Sequence, residues 1–247
     1  MNDTSKVRTV KRPSPNHDAR RPGAAIDMLV LHYTGMRSAD AAVDRLCDPA
    51  ARVSAHYCID EEGRVFELVA EARRAWHAGV GYWAGERDIN NRSIGIELVN
   101  PGHEFGYRPF PESQMLALER LALGILARHP IPARRVLGHS DVAPARKIDP
   151  GELFDWQRLA RSGIGLWPNT AGFPAVESAA TSNAIATVQS QLAAFGYEIA
   201  VTGMLDQATA LGLSAFQRHF RPGLVNGAPD AETRRRLAAL LAALPPT

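Results

Sequence analysis

Short apolar runs separated by polar breakers dominate the first two-thirds of the chain. The runs contain many β-forming residues, and each is short enough to be a buried strand. They predict four strands, at 26–32, 53–59, 64–69 and 93–99. Between the second and third runs lies the polar sequence Asp60-Glu61-Glu62-Gly63, which favours a hairpin turn.

Helical periodicity appears between these runs and after them. Segment 112–128 repeats apolar positions with the spacing of a helix that packs on a sheet. Segments 39–47 and 151–161 also favour helices, and Asp48-Pro49 is expected to end the first. A short strand at 136–138 is expected to deliver His139 into a loop. Strands interleaved with helices in this way predict an α/β fold.

The last third of the chain has a different pattern. Segment 163–181 is rich in Gly, Pro, Ser and Ala and is predicted to be a linker. Beyond it, the pattern Gly-x-x-Asp-x-x-Thr-x-x-x-Leu begins at Gly203 and again at Gly227, a period of 24. With a helix around 183–195, the two copies predict a small three-helix bundle, for which a generic bundle without a ligand is the alternative.

Composition and charge exclude some classes of protein. The 247 residues are 45% hydrophobic and carry a net charge of +2, so no strong field favours nucleic acid as a partner. Residues 1–25 are basic and are predicted to be a solvated, partly ordered arm. Cys47 and Cys58 form no CxxC pair, and their redox state and the oligomeric state cannot be read from the sequence. No apolar stretch is long enough to predict a membrane span.

The residues that could carry chemistry follow predicted strands. His32 ends the strand at 26–32, and the ends of strands are where α/β sheets place ligands. The loop from 138 to 151 holds His139, Lys147 and Asp149 between Pro and Gly residues. Two histidines and a carboxylate are a complete protein ligand set for catalytic zinc, with the fourth position left for water. An iron-oxygenase triad is a remote alternative, because the strand pattern of a β-barrel is missing.

Two further residues fit hydrolysis of an amide. Glu97 is a carboxylate in an otherwise apolar strand, where burial raises its pKa, so it is the candidate proton shuttle. Lys147 lies two residues before Asp149, and in an extended loop both side chains share a face. Its ammonium group can therefore lie near the oxygen that develops negative charge during the reaction.

Several sequence motifs occur in an order that resembles the N-acetylmuramoyl-L-alanine amidases of the AmpD and AmiD type. They are Leu31-His32-Tyr33-Thr34, Ser54-Ala55-His56-Tyr57, Ala75-Trp76-His77-Ala78-Gly79, Ser93-Ile94-Gly95-Ile96-Glu97-Leu98, Gly138-His139-Ser140-Asp141 and Lys147-Ile148-Asp149-Pro150-Gly151. This family shares its fold with T7 lysozyme and peptidoglycan recognition proteins, so the resemblance implies a mixed central β-sheet flanked by helices. It also implies Zn2+ held by His32, His139 and Asp149, with Glu97 and Lys147 as catalytic residues and zinc-bound water as the nucleophile.

The expected substrate is peptidoglycan or a muropeptide fragment, cut between N-acetylmuramic acid and L-alanine. The main alternative is a receptor on the same fold that binds such fragments without cutting them. The presence of the three ligand positions, Glu97 and Lys147 favours the enzyme. Of the other histidines, His56 and His77 are weighed as contacts near the site or as structural residues, and His219 is expected on the surface.

The C-terminal repeat, with Val201-Thr202-Gly203-Met204-Leu205-Asp206 and Ala215-Phe216-Gln217, resembles the type 1 peptidoglycan-binding domain. The predicted organisation is an arm at 1–25, a zinc amidase domain at 26–162, a linker at 163–181 and a peptidoglycan-binding domain at 182–247. Removal of the last segment is expected to leave cleavage of small fragments largely intact. An apolar signal segment is not seen at the N-terminus, which favours the cytoplasm, whereas the wall-binding segment favours a periplasmic or wall-associated protein.

Overall fold

A mixed sheet of six strands forms the centre of the molecule. The structure is a computed structural model, and it describes residues 7–173 and 181–244. The strands are β1 (Thr9–Lys11), β2 (His17–Ala19), β3 (Met28–Tyr33), β4 (Tyr57–Ile59), β5 (Val65–Glu67), β6 (Arg73–Ala75), β7 (Ser93–Leu98) and β8 (Val136–Gly138). The six-stranded sheet has the order β1-β5-β4-β7-β3-β8, and β2 pairs with β6 in a separate ribbon. Only the β4–β5 pair of the large sheet is antiparallel.

Helices cover both faces of this sheet. They are α1 (Ala39–Cys47), α2 (Ile89–Arg92), α3 (Gly102–Phe105), α4 (Glu112–Arg128), α5 (His139–Val142), α6 (Trp156–Arg161), α7 (Ser182–Phe195), α8 (Gln207–Phe220) and α9 (Ala231–Ala242). Alternate residues of β3 enter opposite cores: Leu29 packs with α4, and Val30 packs with the C-terminal helices. Burial on both faces explains why β3 is a continuous apolar run in the sequence. The predicted α/β architecture with a C-terminal helical bundle is confirmed.

The predicted elements differ from the structure mainly at their ends. Helices α1 and α4 have the predicted bounds, but the strand expected at 53–59 begins only at Tyr57. The closing helix begins at Trp156 rather than 151, because the Asp155 side chain caps it by accepting from the Arg158 amide. His139 begins the short helix α5 instead of lying in a loop.

Residues 7–25 pair with other strands of the chain, whereas their charge predicts a solvated, partly ordered arm. Within the described part, β1 extends the large sheet beside β5, and β2 pairs with β6. Asn16 is buried, and its amide donates to the carbonyls of Asp48 and Val53. Arg20 donates to four backbone carbonyls, those of Glu71, Asn90, Asn91 and Ser93. The basic residues of this segment therefore include one that joins separate loops, which net charge cannot reveal.

The sequence repeat corresponds to a structural repeat in the C-terminal helices. Asp206 caps α8 by accepting from the Thr209 amide, and Asp230 caps α9 in the same way. Each repeat is also held by a buried glutamine that the pattern did not include. The Gln189 side chain binds the turn before α8, accepting from the amides of Thr202 and Gly203, and Gln217 does the same for Asn226 and Gly227.

The C-terminal bundle shares one core with the sheet domain. Trp83 is fully buried and packs edge-on against Phe195 and Tyr197, with ring centroids 5.8 and 4.9 Å apart. His219, expected on the surface, is 3% exposed and lies stacked 3.7 Å from the Trp156 ring. The predicted linker separates the bundle in sequence, but the bundle and the sheet domain are packed together. Residues 174–180 of that linker lie outside the described residues.

Among residues 7–173 and 181–244, no helix combines the length and apolar character that crossing a bilayer requires.

Candidate metal centre

The carboxyl ends of two parallel strands and a following loop bring the predicted ligands together. His32 lies near the end of β3, and His139 directly follows β8, which pairs with β3. Asp149 is joined to this point because its carbonyl accepts from the Ser140 amide at 2.9 Å. Nδ1 of His32 lies 2.9 Å from Nδ1 of His139 and 3.1 Å from Oδ2 of Asp149, and the third side of the triangle is 3.0 Å. All three residues are at most 6% exposed.

Outer hydrogen bonds determine which nitrogen of each histidine faces this triangle. Nε2 of His139 lies 3.0 Å from the Ala78 carbonyl, which can only accept, so this nitrogen carries the proton. The Ser93 hydroxyl donates to the Ile89 carbonyl, and it therefore accepts from Nε2 of His77 at 3.0 Å.

His77 in turn fixes the ring of His32. With its proton on Nε2, His77 accepts at Nδ1 from Nε2 of His32, 3.0 Å away. Burial lowers the pKa of His32 to about 4 and that of His77 well below its usual value, so both rings are neutral at pH 7. Nδ1 of His32 therefore presents a lone pair to the triangle, and with one proton held on Nε2 the Nδ1 atom of His139 can do the same.

Two imidazole lone pairs and a carboxylate oxygen, about 3 Å apart, repel one another unless a cation lies among them. Bonds of about 2.0–2.2 Å to tetrahedral zinc place ligand atoms roughly 3.3–3.6 Å apart, a few tenths of an ångström more than the observed 2.9–3.1 Å. The donor set and its tautomers therefore fit zinc.

Glu97 faces the same cleft from the neighbouring strand. The β3–β7 register pairs it with His32, and its Oε2 atom is buried without a hydrogen-bond partner among the described residues. Burial and the charge of Asp149 raise its pKa to about 8, while Lys147 opposes the shift. A half-buried carboxyl with a pKa near neutrality and a free oxygen can both accept and deliver a proton.

Lys147 and Glu97 line one cleft with His139 and Asp149. The cleft has a volume of about 770 Å3, which is ample for a small peptide or sugar fragment. Its walls also include aromatic and basic side chains: Tyr33, Arg37, Trp76, Phe105 and Arg146. The five predicted site residues are thus brought together in one place.

Of the residues behind the ligands, His77 was weighed from the sequence as a contact near the site, and Ser93 was not identified. The His77 ring packs against the backbone of Gly95. A Cβ on Gly95 would lie 2.4 Å from this ring, so the strand position needs glycine. Ser93 starts the strand that carries Glu97 and completes the hydrogen-bonded chain to His32. In the sequence, the available signal for Ser93 was that it lies four positions before Glu97 in the same apolar strand. Nδ1 of His56 accepts from the Gly95 amide, and its Nε2 lies 3.1 Å from the Arg73 carbonyl. These backbone contacts favour the structural role that was weighed for His56.

Comparisons with known proteins give consistent matches to both parts of the chain. The sequence profile of the family described as N-acetylmuramoyl-L-alanine amidase matches residues 22–152. The profile described as a putative peptidoglycan binding domain matches residues 181–237. N-acetylmuramoyl-L-alanine amidase AmiD of Escherichia coli is 39% identical over 243 residues, covering 91% of this chain and 87% of AmiD.

Two solved structures extend this similarity to the fold. E. coli AmiD in complex with the substrate anhydro-N-acetylmuramic acid-L-Ala-D-γ-Glu-L-Lys superimposes with a TM-score of 0.78 and 37% identity, covering 90% of this chain and 92% of that one. AmpDh3 of Pseudomonas aeruginosa in complex with anhydromuramic pentapeptide has a TM-score of 0.73 and 35% identity, covering 97% and 96%.

Proposed function

The chain belongs to the N-acetylmuramoyl-L-alanine amidase family, and on this premise we propose that it is a zinc-dependent amidase that acts on muropeptides. In the proposed reaction, water adds across the amide between the lactoyl group of N-acetylmuramic acid and L-alanine. The products are the free carboxylic acid of the sugar and a peptide with a free L-alanine amino group. His32, His139 and Asp149 would hold the metal.

One observation carries the zinc proposal. The N–H group of His32 donates to His77, and that of His139 donates to the Ala78 carbonyl. In singly protonated rings, the Nδ1 atoms that face the triangle therefore carry no proton. Zinc, when bound, would lower the pKa of a coordinated water towards about 7 and polarise the scissile carbonyl. The same hydrogen bonds would hold both rings in the ligating orientation.

Glu97 is proposed to move the proton. Its unpartnered Oε2 would accept a proton from the attacking water, and the protonated carboxyl would then deliver it to the nitrogen of the leaving L-alanine. A pKa near neutrality suits both steps because neither protonation state is strongly preferred. Lys147, on the same cleft wall, would donate to the carbonyl oxygen as it gains negative charge.

We propose 1,6-anhydro-muropeptides as substrates, because the two solved relatives were crystallised with anhydromuramic peptides. The C-terminal helices are proposed to bind polymeric peptidoglycan, as their matching profile describes. Residues 26–162 would form the catalytic domain and 182–247 the binding domain. Comparison of a soluble anhydro-muropeptide with intact sacculi would test the substrate form, and fractionation of cells would test the predicted cytoplasmic location.

Removal and return of the metal tests the proposal. The purified chain is dialysed against a chelator, supplied with zinc in steps and incubated with an anhydro-muropeptide, and the products are identified by mass spectrometry. We expect about one zinc per chain and release of a peptide that begins with L-alanine. His139→Ala should lose both properties. Binding without products would favour a receptor instead, and full turnover by the metal-free chain would refute the zinc mechanism.

A further inference from the structure

Asp141 is a buried carboxylate two residues after the proposed ligand His139. It is 1% exposed and lies in α5, the single helical turn that His139 begins. Its Oδ2 atom accepts from the Gly138 amide at 2.8 Å, which closes the turn immediately before His139. The Ser140 amide, in the same turn, donates to the carbonyl of Asp149, so the orientation of α5 affects two of the three proposed ligands.

Both other partners of Asp141 come from the C-terminal bundle: Tyr197 follows α7, and His219 lies in α8. The Tyr197 hydroxyl donates to Oδ1 at 2.6 Å, and Nδ1 of His219 lies 2.7 Å from Oδ2. A carboxylate buried this deeply is costly without donors, so these two contacts set where the side chain can rest. The helical turn that carries His139 is therefore tied to residues that lie 56 and 78 positions after Asp141 in the chain.

The two donors are themselves held firmly. Tyr197 is 2% exposed and packs against the Trp83 ring, while His219 is stacked between Trp156 and Phe220 at 3.7 and 3.8 Å. The backbone at Gly196 approaches Trp83 so closely that an added Cβ would lie 2.6 Å from its ring. Donors fixed by packing can orient a neighbouring group, whereas mobile surface side chains cannot.

We propose that the C-terminal helices are part of the catalytic scaffold, with Tyr197 and His219 acting as positioning residues that orient His139 through Asp141. This inference rests on the proposed metal site. It gives the C-terminal segment a role beyond binding the wall, and it replaces the expectation that this segment can be removed without affecting cleavage of small fragments. Neither residue lines the cleft or belongs to the proposed ligand triangle.

The proposal has a measurable consequence for the metal. Loss of one donor leaves the charge of Asp141 under-satisfied, so α5 moves and the Nδ1 atom of His139 departs from its ligating position. Loss of an outer partner of a metal ligand typically weakens metal binding by about 10- to 100-fold. The effect should appear in zinc affinity and kcat, with little change in KM, because the cleft walls that hold the substrate are not altered.

The test uses the full chain with Tyr197→Phe, which removes one hydroxyl and no packing volume. Tyr57→Phe is the matched control: its hydroxyl donates to the Glu71 carboxylate at 2.8 Å, and both residues line a separate cavity. Zinc affinity is measured by competition with a chromophoric chelator at pH 7. Hydrogen exchange of the segment 136–149 is measured in the metal-free proteins, and thermal unfolding confirms that each is folded.

We expect Tyr197→Phe to weaken zinc binding at least about 10-fold and to speed exchange in 136–149, whereas Tyr57→Phe changes neither. A folded Tyr197→Phe protein with the affinity and exchange of the wild type would overturn the proposal.

If Tyr197→Phe does not fold, His219→Leu and His219→Asn replace it, since the amide nitrogen of asparagine can restore the donor near the position of Nδ1. Equal zinc affinities in that pair would also overturn it. A wild-type chain that binds no zinc would refute the proposed function. The exchange rates of 136–149 would then still test whether Tyr197 orients this segment through Asp141.

Discussion

Replacement of Glu97 by glutamine is predicted to stabilise the metal-free protein while removing its activity. The carboxyl is half-buried, Oε2 has no partner among the described residues, and burial together with Asp149 raises its pKa to about 8. A neutral amide of the same shape avoids the cost of a buried charge. A residue that is retained at a cost in stability is typical of a functional site.

The magnitude follows from the pKa. A carboxyl whose pKa is 4.5 in the unfolded chain and about 8 in the folded one lowers the free energy of unfolding at pH 7 by about 3 kcal/mol. Because Glu97 lines an open cleft, solvent screens part of this, and about 1–3 kcal/mol is expected. The raised pKa means that the folded state holds the proton more tightly, so stability is full below pH 4.5 and is lost as the pH rises towards 8.

The assay is thermal unfolding of metal-free wild type and Glu97→Gln from pH 4 to pH 9. The two melting temperatures should coincide near pH 4, diverge between about pH 5 and 8, and then stay apart by at least about 2 °C, with the variant higher. Glu67→Gln, on strand β5 and outside the cleft, is the control for loss of one negative charge. In the zinc-loaded enzyme, Glu97→Gln should bind the metal but lose most turnover.

Two results would refute this reasoning. A variant that is less stable than the wild type at pH 8 would mean that the Glu97 carboxylate is satisfied in the folded protein, contrary to its buried and unpartnered oxygen. Turnover at the wild-type rate would exclude Glu97 as the proton shuttle, whatever its effect on stability.

Three further predictions test other parts of the structure. His77→Phe should leave Nε2 of His32 unpaired and weaken zinc binding by about 10- to 100-fold, as measured by chelator competition; unchanged affinity would contradict the orienting role. Lys147→Met should retain zinc and reduce kcat by about 100-fold or more in a product-release assay, and a change confined to KM would instead assign it to substrate binding. Gln217→Leu should remove the side chain that holds the turn before α9 and lower the free energy of unfolding by about 2–4 kcal/mol in chemical denaturation, and a loss below 0.5 kcal/mol would contradict it.

The arrangement of the elements was predictable because the sheet is buried on both faces. A strand covered on two sides is a continuous apolar run, so β3 and β7 stand out from sequence alone. The polar residues that end or interrupt such runs were equally visible, which is why His32 and Glu97 could be selected. Their convergence follows from parallel pairing of the two strands, which the structure supplies.

Two other features could not be predicted because they depend on contacts between distant segments. The sequence places the basic residue Arg20 in a solvated arm, yet its guanidinium group donates to carbonyls some 50 to 70 positions away. His219 belongs to an amphipathic helix, and nothing near it in sequence indicates that it meets Asp141. Periodicity shows which face of a helix is apolar, but it does not identify the surface that the helix will cover.

The central claim is that three distant side chains share one zinc ion through defined atoms. A crystal structure of the zinc-loaded protein, with data on both sides of the zinc absorption edge, tests it most directly. We expect one anomalous peak about 2.0–2.2 Å from Nδ1 of His32, Nδ1 of His139 and an oxygen of Asp149. A peak bound through Nε2 of either histidine, or a fully active protein with no peak among these residues, would contradict it.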